Sequence, residues 1–464
     1  MSHVDALEWG DRLVEAIDRH RVPGATLGIL HEGEITATGA GVLSKATGVE
    51  ATSDSLFQIG SITKVWTATL VMQLVDDGLL GLDEPVCEVL PGFGVADPEV
   101  TRNVTPRHLL THTSGIDGDV FEDTGRGDDC LGRYVERLGT VEQIHPLGAT
   151  WSYCNSGFGL LGRMIEHAAG TTWDRALRER LIDPLGLTGT VTLPEEALLH
   201  RVAVGHVGEP DEEPVPTTTW GLPRSAGPAG LITARVSDVL AFARLHLAGG
   251  VTPDGSRLLS VVAVEAMTRE EARLPDRYTL GDSWGLGWIR FDWGDDRLVG
   301  HDGATIGQAA FLRVLPSHGL AVSLLTNGGR ARDLFEDVVR EVFDELAGAR
   351  MQAPVEPSGS PLEINPAHYL GRYERTGVTT EVFERDGGLV LRSTLTGAFA
   401  ELAPKPVHEY ALHPVEPDVF AMRPPGVSTW TAVTFYELGN GARYVHYGAR
   451  ANPLVADRKE QVSD

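Results

Sequence analysis

A serine and a lysine three residues apart could supply a nucleophile and its base. Ser61 and Lys64 stand at the start of an apolar run, Val65–Val75, that is followed by Asp76-Asp77-Gly78. If this run is a helix, as its length and the closing glycine predict, both side chains lie on one face of its first turn. A serine hydroxyl becomes a good nucleophile when a base takes its proton, and burial can lower the pKa of a lysine enough for that task.

The rarity of lysine supports this chemistry. The chain has four lysines, at positions 45, 64, 405 and 459, against 35 arginines. A lysine kept inside an apolar helix of such a chain indicates a need for an amine that can lose its proton. The simpler alternative is an ordinary helix start, with Ser61 as the N-cap and Lys64 extending to solvent.

Two distant stretches carry further side chains that can hold or move protons. Residues 151–157 place the phenol of Tyr153 and the carboxamide of Asn155 in a loop before a predicted helix. Residues 298–304 put the imidazole of His301 on a predicted strand, where Gly303 lets a backbone approach a substrate closely. The simpler interpretations are a tyrosine packed on the core and an asparagine that caps a helix.

The composition excludes several classes of function. The formal charge of −26 and the pI near 5.0 argue against nucleic acid or an anionic membrane surface as a partner. No segment is long and apolar enough to span a bilayer. We expect no metal site and no cofactor, because the cysteines and histidines do not cluster at zinc spacing.

The compartment is expected to be the cytoplasm. Three cysteines, at positions 87, 130 and 154, are too few and too scattered for a disulfide framework. The first nine residues lack the basic start and apolar core of a secretory signal, so a protein that begins at residue 1 stays in the cytosol.

The elements that would position these side chains suggest an α+β domain. Residues 5–20 read as an amphipathic helix with Leu7, Leu13, Val14 and Ile17 on one side, followed by a hairpin of two strands. Helical patterns dominate the middle of the chain, and strands return at 297–301, 309–315 and 320–326 before a helix over 331–346. We therefore predict an antiparallel sheet that pairs N- and C-terminal strands, flanked by helices.

A second, smaller domain is predicted after a linker. Residues 351–366 are rich in proline and serine, which is typical of a connection between domains. From residue 367 short alternating strands are separated by turns such as Asp386-Gly387-Gly388, which predicts a small antiparallel barrel. The expected division is a first domain over 1–350 and a second over 367–464.

The three motifs together resemble those of a known family. Ser61-x-x-Lys64, Tyr153-x-Asn155 and His301-x-Gly303, in this order, are similar to the active-site motifs of penicillin-binding proteins and class C β-lactamases. The resemblance covers roughly residues 5–346, including 108–115 and the strand end at 325–328. It implies a β-lactamase/transpeptidase-like domain.

The resemblance also implies roles for the motif residues. Ser61 would be the acylated nucleophile and Lys64 its base, and Tyr153 would pass protons to the leaving group and from the second nucleophile. Asn155 would orient the substrate amide and Lys64. The oxyanion hole would combine the backbone N–H of Ser61 with one from the strand after His301, where Gly303 and Ala304 would contact the substrate.

The chain departs from the family pattern at two positions. The third motif of β-lactamases usually begins with a lysine, and His301 is largely neutral at pH 7, so attraction for a penicillin carboxylate should be weak. This favours the esterase, D-aminopeptidase and acyltransferase members. The other departure is Cys154, which stands where a small inert residue is usual and is best interpreted as a buried side chain.

The predicted second domain narrows the choice within the family. A member with a lipocalin-like C-terminal domain resembles the penicillin-binding-protein-type thioesterases, which release and cyclise nonribosomal peptides. The stretches 113–119 and 124–130 are also similar to that group. The resemblance implies a peptide thioester substrate, presented by a peptidyl carrier domain of a nonribosomal peptide synthetase, with a D-residue on the acyl side and an L-residue at the amine.

An arginine of the second domain should reach the substrate by the same resemblance, with Arg450 as the candidate and Arg443 as the reserve. A solvated strand end is the alternative for both. An acidic carrier would be repelled by the charge of −26 unless a local basic patch exists.

Two other functions stay open. One is a hydrolase of the same fold, a D-aminopeptidase or a carboxylesterase with weak or no β-lactamase activity. The other is a non-enzymatic binding module that has kept the fold, which the presence of all the motif side chains disfavours.

Overall fold

The structure is a computed structural model that describes residues 4–397, 400 and 405–455. The end of the predicted second domain, residues 456–464, lies outside the described residues, as does Lys459. The α-helices of the described part are α1 (Ala6–Arg19), α2 (Thr63–Asp76), α3 (Val86–Val89), α4 (Pro98–Asn103), α5 (Pro106–Leu110), α6 (Cys130–Arg137), α7 (Asn155–Ala169), α8 (Trp173–Leu177), α9 (Pro194–Ala197), α10 (Gly227–Gly230), α11 (Val236–Leu247), α12 (Val261–Thr268) and α13 (Ala331–Ala347).

The strands fall into two groups along the chain. The first group comprises β1 (Gly24–His31), β2 (Glu34–Gly41), β3 (Leu56–Gln58), β4 (Thr190–Val191), β5 (His206–Val207), β6 (Val215–Pro216), β7 (Thr233–Arg235), β8 (Ala272–Arg273), β9 (Ser283–Trp284), β10 (Ile289–Trp293), β11 (Asp296–Thr305), β12 (Gln308–Leu315) and β13 (Leu320–Thr326). The second group comprises β14 (Gly371–Arg375), β15 (Val378–Arg385), β16 (Gly388–Leu395), β17 (Val407–Glu416), β18 (Val419–Met422), β19 (Thr431–Glu437), β20 (Arg443–Tyr447) and β21 (Arg450–Val455).

The main sheet joins the two ends of the first domain. Among the described residues it has eight strands in the order β2-β1-β13-β12-β11-β10-β9-β8. β1 runs antiparallel to β13, with Leu27 opposite Leu324. The predicted α+β architecture, with N- and C-terminal strands paired in one antiparallel sheet, is confirmed.

Helices cover both faces of this sheet. On one face α1 and α13 pack through side chains that include Trp9 and Phe335. On the other face α2, α7 and α11 form a helical layer, in which the rings of Trp66 and Phe242 stack at 4.0 Å. Because α2 is enclosed by this layer, its side chains are buried from Thr63 to Leu74.

The buried face of α1 differs from the predicted one. Leu13 and Ile17 are buried as expected, but Leu7 is 81% exposed and Val14 is 54% exposed. The face that packs instead consists of Trp9, Leu13, Ala16 and Ile17. The prediction was wrong at Leu7 and Val14, because at about 100° per residue Leu7 lies about 120° and Val14 about 100° around the helix from Leu13.

The second group of strands closes into an eight-stranded antiparallel barrel, β14 to β21 in order. Buried and less buried residues alternate along β15, as expected for a strand with one face in the barrel interior. Asp386 and Gly387 both have positive φ, which is the two-residue hairpin geometry that matches strand twist. The predicted small antiparallel barrel is confirmed.

The connection between the two units is irregular except for a 3₁₀ turn, Pro366–His368. The last helix of the first unit ends at Ala347, and the first barrel strand begins at Gly371. Within the described part of the chain no helix is long and apolar enough to cross a bilayer. Cys87, Cys130 and Cys154 are all free thiols.

Candidate active site

A tight turn presents Ser61 at the N-terminal end of the buried helix α2. β3 leads into Gly60, whose φ of +50° opens a short 3₁₀ turn over residues 60–62. A Cβ on Gly60 would lie 2.5 Å from the backbone nitrogen of Ala304, so the site requires glycine. Ser61 therefore precedes α2 and makes no capping hydrogen bond to it, which excludes the N-cap interpretation.

Lys64 is fully buried and makes three polar contacts. Its Nζ lies 2.7 Å from Asn155 Oδ1, 2.7 Å from the carbonyl oxygen of Ala229 and 3.0 Å from Ser61 Oγ. A neutral amine has two N–H groups and one lone pair, and the two carbonyl oxygens can only accept. The neutral lysine therefore donates to Asn155 and Ala229, and its lone pair receives the Ser61 hydroxyl proton.

The surroundings of Lys64 favour that neutral form. Burial lowers the pKa of Lys64 well below its ordinary value, and the positive charge of Arg450 acts in the same direction. The carboxylate of Asp119 opposes both. A deprotonated amine beside a serine hydroxyl is the arrangement that general-base activation needs.

Tyr153 and Asn155 reach the same point from the start of α7. The N-cap of α7 is Cys154, whose sulfur accepts from the backbone N–H of Gly157, and Asn155 is the first helical residue. The helix cap predicted at Asn155 is therefore one residue earlier, at Cys154. Cys154 is buried as predicted, and its role as a cap leaves the Asn155 amide free to point into the site.

The Tyr153 hydroxyl faces Ser61 without an aligned hydrogen bond to any described residue. Burial raises the pKa of Tyr153 well above its ordinary value, which the nearby Ser61 hydroxyl partly offsets. The ring is fixed by the imidazole of His112, whose centroid is 4.4 Å away. The backbone N–H of Tyr153 donates to the carbonyl oxygen of Ala449, in the turn between β20 and β21 of the barrel.

His301 enters the site as a neutral imidazole. Its Nδ1 lies 2.6 Å from the carbonyl oxygen of Asp302, which can only accept, so Nδ1 carries the proton and Nε2 a lone pair. Burial lowers the pKa of His301 to about 3, and any positive charge on Lys64 would act in the same direction. The Asp302 carboxylate turns away to Arg313 and Arg332, at 2.6 and 2.7 Å.

Gly303 and Ala304 of β11 pass directly over the Ser61 turn. A Cβ on Gly303 would lie 1.9 Å from the carbonyl oxygen of Ile59 and 3.0 Å from the backbone nitrogen of Ser61. Ala304 lines the same cavity as Ser61. The backbones of the turn and the strand are thus close enough to aim two N–H groups at one substrate oxygen.

Gly303→Ala is expected to lower activity on an activated ester by about 100-fold, because a methyl group against backbone must displace the Ser61 turn. Steady-state ester hydrolysis measures the loss. The matched control is Gly139→Ala, since a Cβ on Gly139 meets nothing within 4 Å. Full activity in Gly303→Ala would contradict the close approach.

One cavity of about 520 Å³ is lined by Arg450 and by every motif side chain except Lys64, namely Ser61, Tyr153, Asn155, His301 and Gly303. Lys64 is fully buried and reaches the cavity through its contact with Ser61. Arg450 lies over the Tyr153 ring at 4.9 Å and pairs with Asp119, so it is not a solvated strand end. Arg443 is not brought to this cavity and interacts with Tyr373. Of the two candidate arginines, the structure brings only Arg450 into the site.

Sequence reasoning missed several contacts of the site. The carbonyl of Ala229 carries no sequence signal, and Asp119 is one of 65 acidic residues. Asp119 accepts from Asn155 Nδ2 at 3.0 Å and from Arg375, another barrel arginine, at 2.7 Å. The described residues contain no group of three or more His, Cys, Asp or Glu side chains that could hold a metal ion.

Comparisons with known proteins agree with this geometry. Residues 11–343 match the family described as Beta-lactamase. Penicillin-binding protein 4 of Amycolatopsis lactamdurans is 48% identical over 80% of this chain and 98% of its own length. Esterase EstB of Burkholderia gladioli is 30% identical over 68% of this chain and 88% of its own.

A solved structure also resembles the whole chain, barrel included. The crystal structure of SurE superposes with a TM-score of 0.78 at 30% identity, covering 97% of this chain and 99% of that one. The same protein has been solved with D-Leu, and that structure superposes with a TM-score of 0.75.

Proposed function

The chain belongs to the beta-lactamase family, and from that premise we propose that it is a serine acyltransferase that releases a nonribosomal peptide from its thioester by cyclisation. The observation that carries the acyl-transfer part is the 3.0 Å contact between the Lys64 amine and the Ser61 hydroxyl. Both N–H groups of the buried neutral amine are already donated to carbonyl oxygens. Its lone pair therefore faces the Ser61 hydroxyl and can accept that proton.

The first half-reaction forms an ester. Ser61 Oγ attacks the thioester carbonyl, its proton passes to Lys64, and the backbone N–H groups of Ser61 and Ala304 stabilise the oxyanion. The C–S bond then breaks, and the thiol leaves with a proton delivered through Tyr153. Neutral His301 adds no charge at this point, which fits a substrate without the carboxylate of a penicillin.

The second half-reaction forms the lactam. The amine of the same peptide attacks the ester carbonyl and loses one proton, which passes through Tyr153 to Lys64. The bond between the carbonyl carbon and Ser61 Oγ then breaks, and Lys64 returns that proton to Ser61 Oγ. Water competes with the amine, so the site must keep water away and hold the chain folded back. The barrel turn that carries Ala449 and Arg450 borders the cavity and supports this requirement.

The shape of the cavity supports an extended peptide. It shares Leu280, Arg332 and Ala449 with a second groove of about 440 Å³ between the first domain and the barrel. The groove is lined by aromatic side chains, namely Tyr278, Phe291, Trp293, Phe335 and Trp430. Such a groove fits a peptide with apolar side chains better than a small amide.

The partner and the compartment follow from the same proposal. The thioester would be presented by a peptidyl carrier domain, and the SurE structure with D-Leu supports a D-residue in the substrate, which we place on the acyl side. The three free thiols are compatible with a reducing compartment, and we place the reaction in the cytoplasm.

Product analysis tests the cyclisation. We expect a linear peptide thioester of N-acetylcysteamine, with a D-residue at the thioester and a free amine, to yield a product one water lighter than the free acid. The small thiol removes the need for an acidic carrier to approach a chain of charge −26. The N-acetylated peptide is the matched control, because it can only be hydrolysed. Free acid as the sole product from both peptides would overturn the cyclase proposal.

A hydrolase is the second candidate. The similarity to Esterase EstB favours it, and a D-aminopeptidase would use the same side chains. Water would then replace the peptide amine as the second nucleophile. The free acid from the peptide thioester, together with release of D-residues from peptide amides, would favour this function over cyclisation.

A further inference from the structure

We propose that Asp119 is a positioning residue that makes acylation of Ser61 depend on the docked barrel, because it joins two barrel arginines to Lys64 through the amide of Asn155. The inference rests on the Ser61 and Lys64 chemistry of the proposed function. It does not depend on whether the acyl group is later cyclised or hydrolysed.

The first link runs from the carboxylate to the lysine. Asp119 Oδ1 accepts from Asn155 Nδ2 at 3.0 Å, and Asn155 Oδ1 accepts from Lys64 Nζ at 2.7 Å. A carboxylate can only accept, so it decides which end of the Asn155 amide is the NH₂ group. The amide oxygen must then face Lys64, which holds one N–H of the lysine away from Ser61.

The second link runs from the carboxylate to the barrel. Arg375 Nη1 of β14 donates to Asp119 Oδ2 at 2.7 Å, and Arg450 of β21 donates to both carboxylate oxygens at 2.8 and 3.1 Å. Asp119 is only 6% exposed, and a buried carboxylate needs such partners. Although burial favours the neutral acid, Arg450 and Arg375 lower the pKa of Asp119 to about 2.

The loop that carries Asp119 is wedged between the barrel and α7. A Cβ on Gly118 would lie 2.6 Å from the Cα of Cys154, and the backbone N–H of Ser156 donates to the Gly118 carbonyl at 3.1 Å. On the other side Asp117 accepts from the backbone N–H of Thr376 at 2.9 Å. A displaced barrel would therefore displace Asp119 and the Asn155 amide with it.

The charges around Lys64 predict how the pH dependence of acylation changes when Asp119 or Arg450 is replaced. The titratable and charged groups that interact with Lys64 are Arg450, Asp119, Cys154, Tyr153, His112 and His301. Arg450 lowers the pKa of Lys64 and Asp119 raises it. Activity requires the neutral amine, so it falls as the pH falls through this pKa. This fall in rate is the acidic limb of the pH–rate profile. Loss of the Asp119 carboxylate should shift the limb to lower pH, and loss of the Arg450 guanidinium should shift it to higher pH.

The test measures acylation of the full chain by p-nitrophenyl acetate, as the rate of the first nitrophenolate release across pH. We expect Asp119→Asn to lower the plateau rate by about 100-fold. We expect its acidic limb to move down by about one pH unit and that of Arg450→Gln to move up by about one. The matched control is Asp333→Asn, which removes another buried carboxylate at the domain interface, where Asp333 accepts from Ser428 and Thr429. Its limb should not move.

Two results would overturn the inference while leaving the proposed function intact. These are an unchanged plateau in Asp119→Asn, or limbs that shift in the same direction in both variants. A wild-type protein that the ester does not acylate would instead overturn the proposed function, and the inference with it. If Asp119→Asn does not fold, Arg375→Gln and Arg375→Lys replace it. The lysine keeps the charge and should recover the rate that glutamine loses, and equal rates for the two would also overturn the inference.

Discussion

Ser61→Ala is expected to lower turnover of an activated thioester by roughly 10³-fold or more and to abolish the covalent intermediate. The reason is that Lys64, Tyr153 and the Gly60 turn are all arranged around the Ser61 oxygen. Lys64 takes its proton, Tyr153 faces it, and the turn at Gly60 exists to present it. Without the hydroxyl the cavity can still bind a substrate, but it has no atom that can form the ester.

Two measurements check this expectation. Thiol release gives the rate, and the mass of the intact protein after brief mixing with substrate shows an acyl adduct on the wild type and none on the variant. Ser317→Ala, in an exposed turn, is the matched control and should react like the wild type. Undiminished turnover by Ser61→Ala would remove the proposed nucleophile and return the choice to a binding module or a different site.

Lys64→Arg is expected to reduce acylation by roughly 10³-fold, because it replaces a neutral amine with a permanent cation. A guanidinium does not lose its proton at any pH at which proteins fold, so it cannot accept the Ser61 proton. It is also too large for a position with no exposed surface, where two carbonyl oxygens and one hydroxyl take up the whole amine. The variant tests whether position 64 must hold a group that can accept the Ser61 proton.

The control for this variant lies in the same chain. Lys45 forms a surface ion pair with Glu213, and Lys45→Arg should keep wild-type activity. The measurement is the nitrophenolate burst across pH, with thermal unfolding to show that each variant is folded. Wild-type acylation by Lys64→Arg would contradict the assignment of the base and point to Tyr153 or His301 in its place.

The local parts of the site were predictable from sequence. The Ser61 and Lys64 side chains meet because they are three residues apart where a 3₁₀ turn leads into α2, a spacing that puts side chains on one side of either helix type. The strand with His301 and the loop with Tyr153 also follow local patterns. The pairing of β1 with β13 was predicted from the order of elements, since the strands lie at the two ends of the first domain.

The remaining contacts depend on packing between distant segments. Ala229 contributes only a backbone oxygen, which every residue has. Asp119 and Arg375 are 256 positions apart, and their partnership exists only because the barrel docks at one place. The exposed Leu7 is an error of a different kind, because helical periodicity alone places it away from the side that carries Leu13.

The backbone hydrogen bond from Tyr153 to Ala449 bears on how such proteins diversify. An appended domain that only shields a cleft can be replaced by a different domain during evolution without loss of activity. Here a main-chain carbonyl of the appended domain accepts from the backbone of Tyr153, and the neighbouring Arg450 pairs with Asp119, which also accepts from the Asn155 amide. Recombination at the linker should thus yield inactive hybrids, so the two halves are expected to be inherited together and to accumulate changes as one gene.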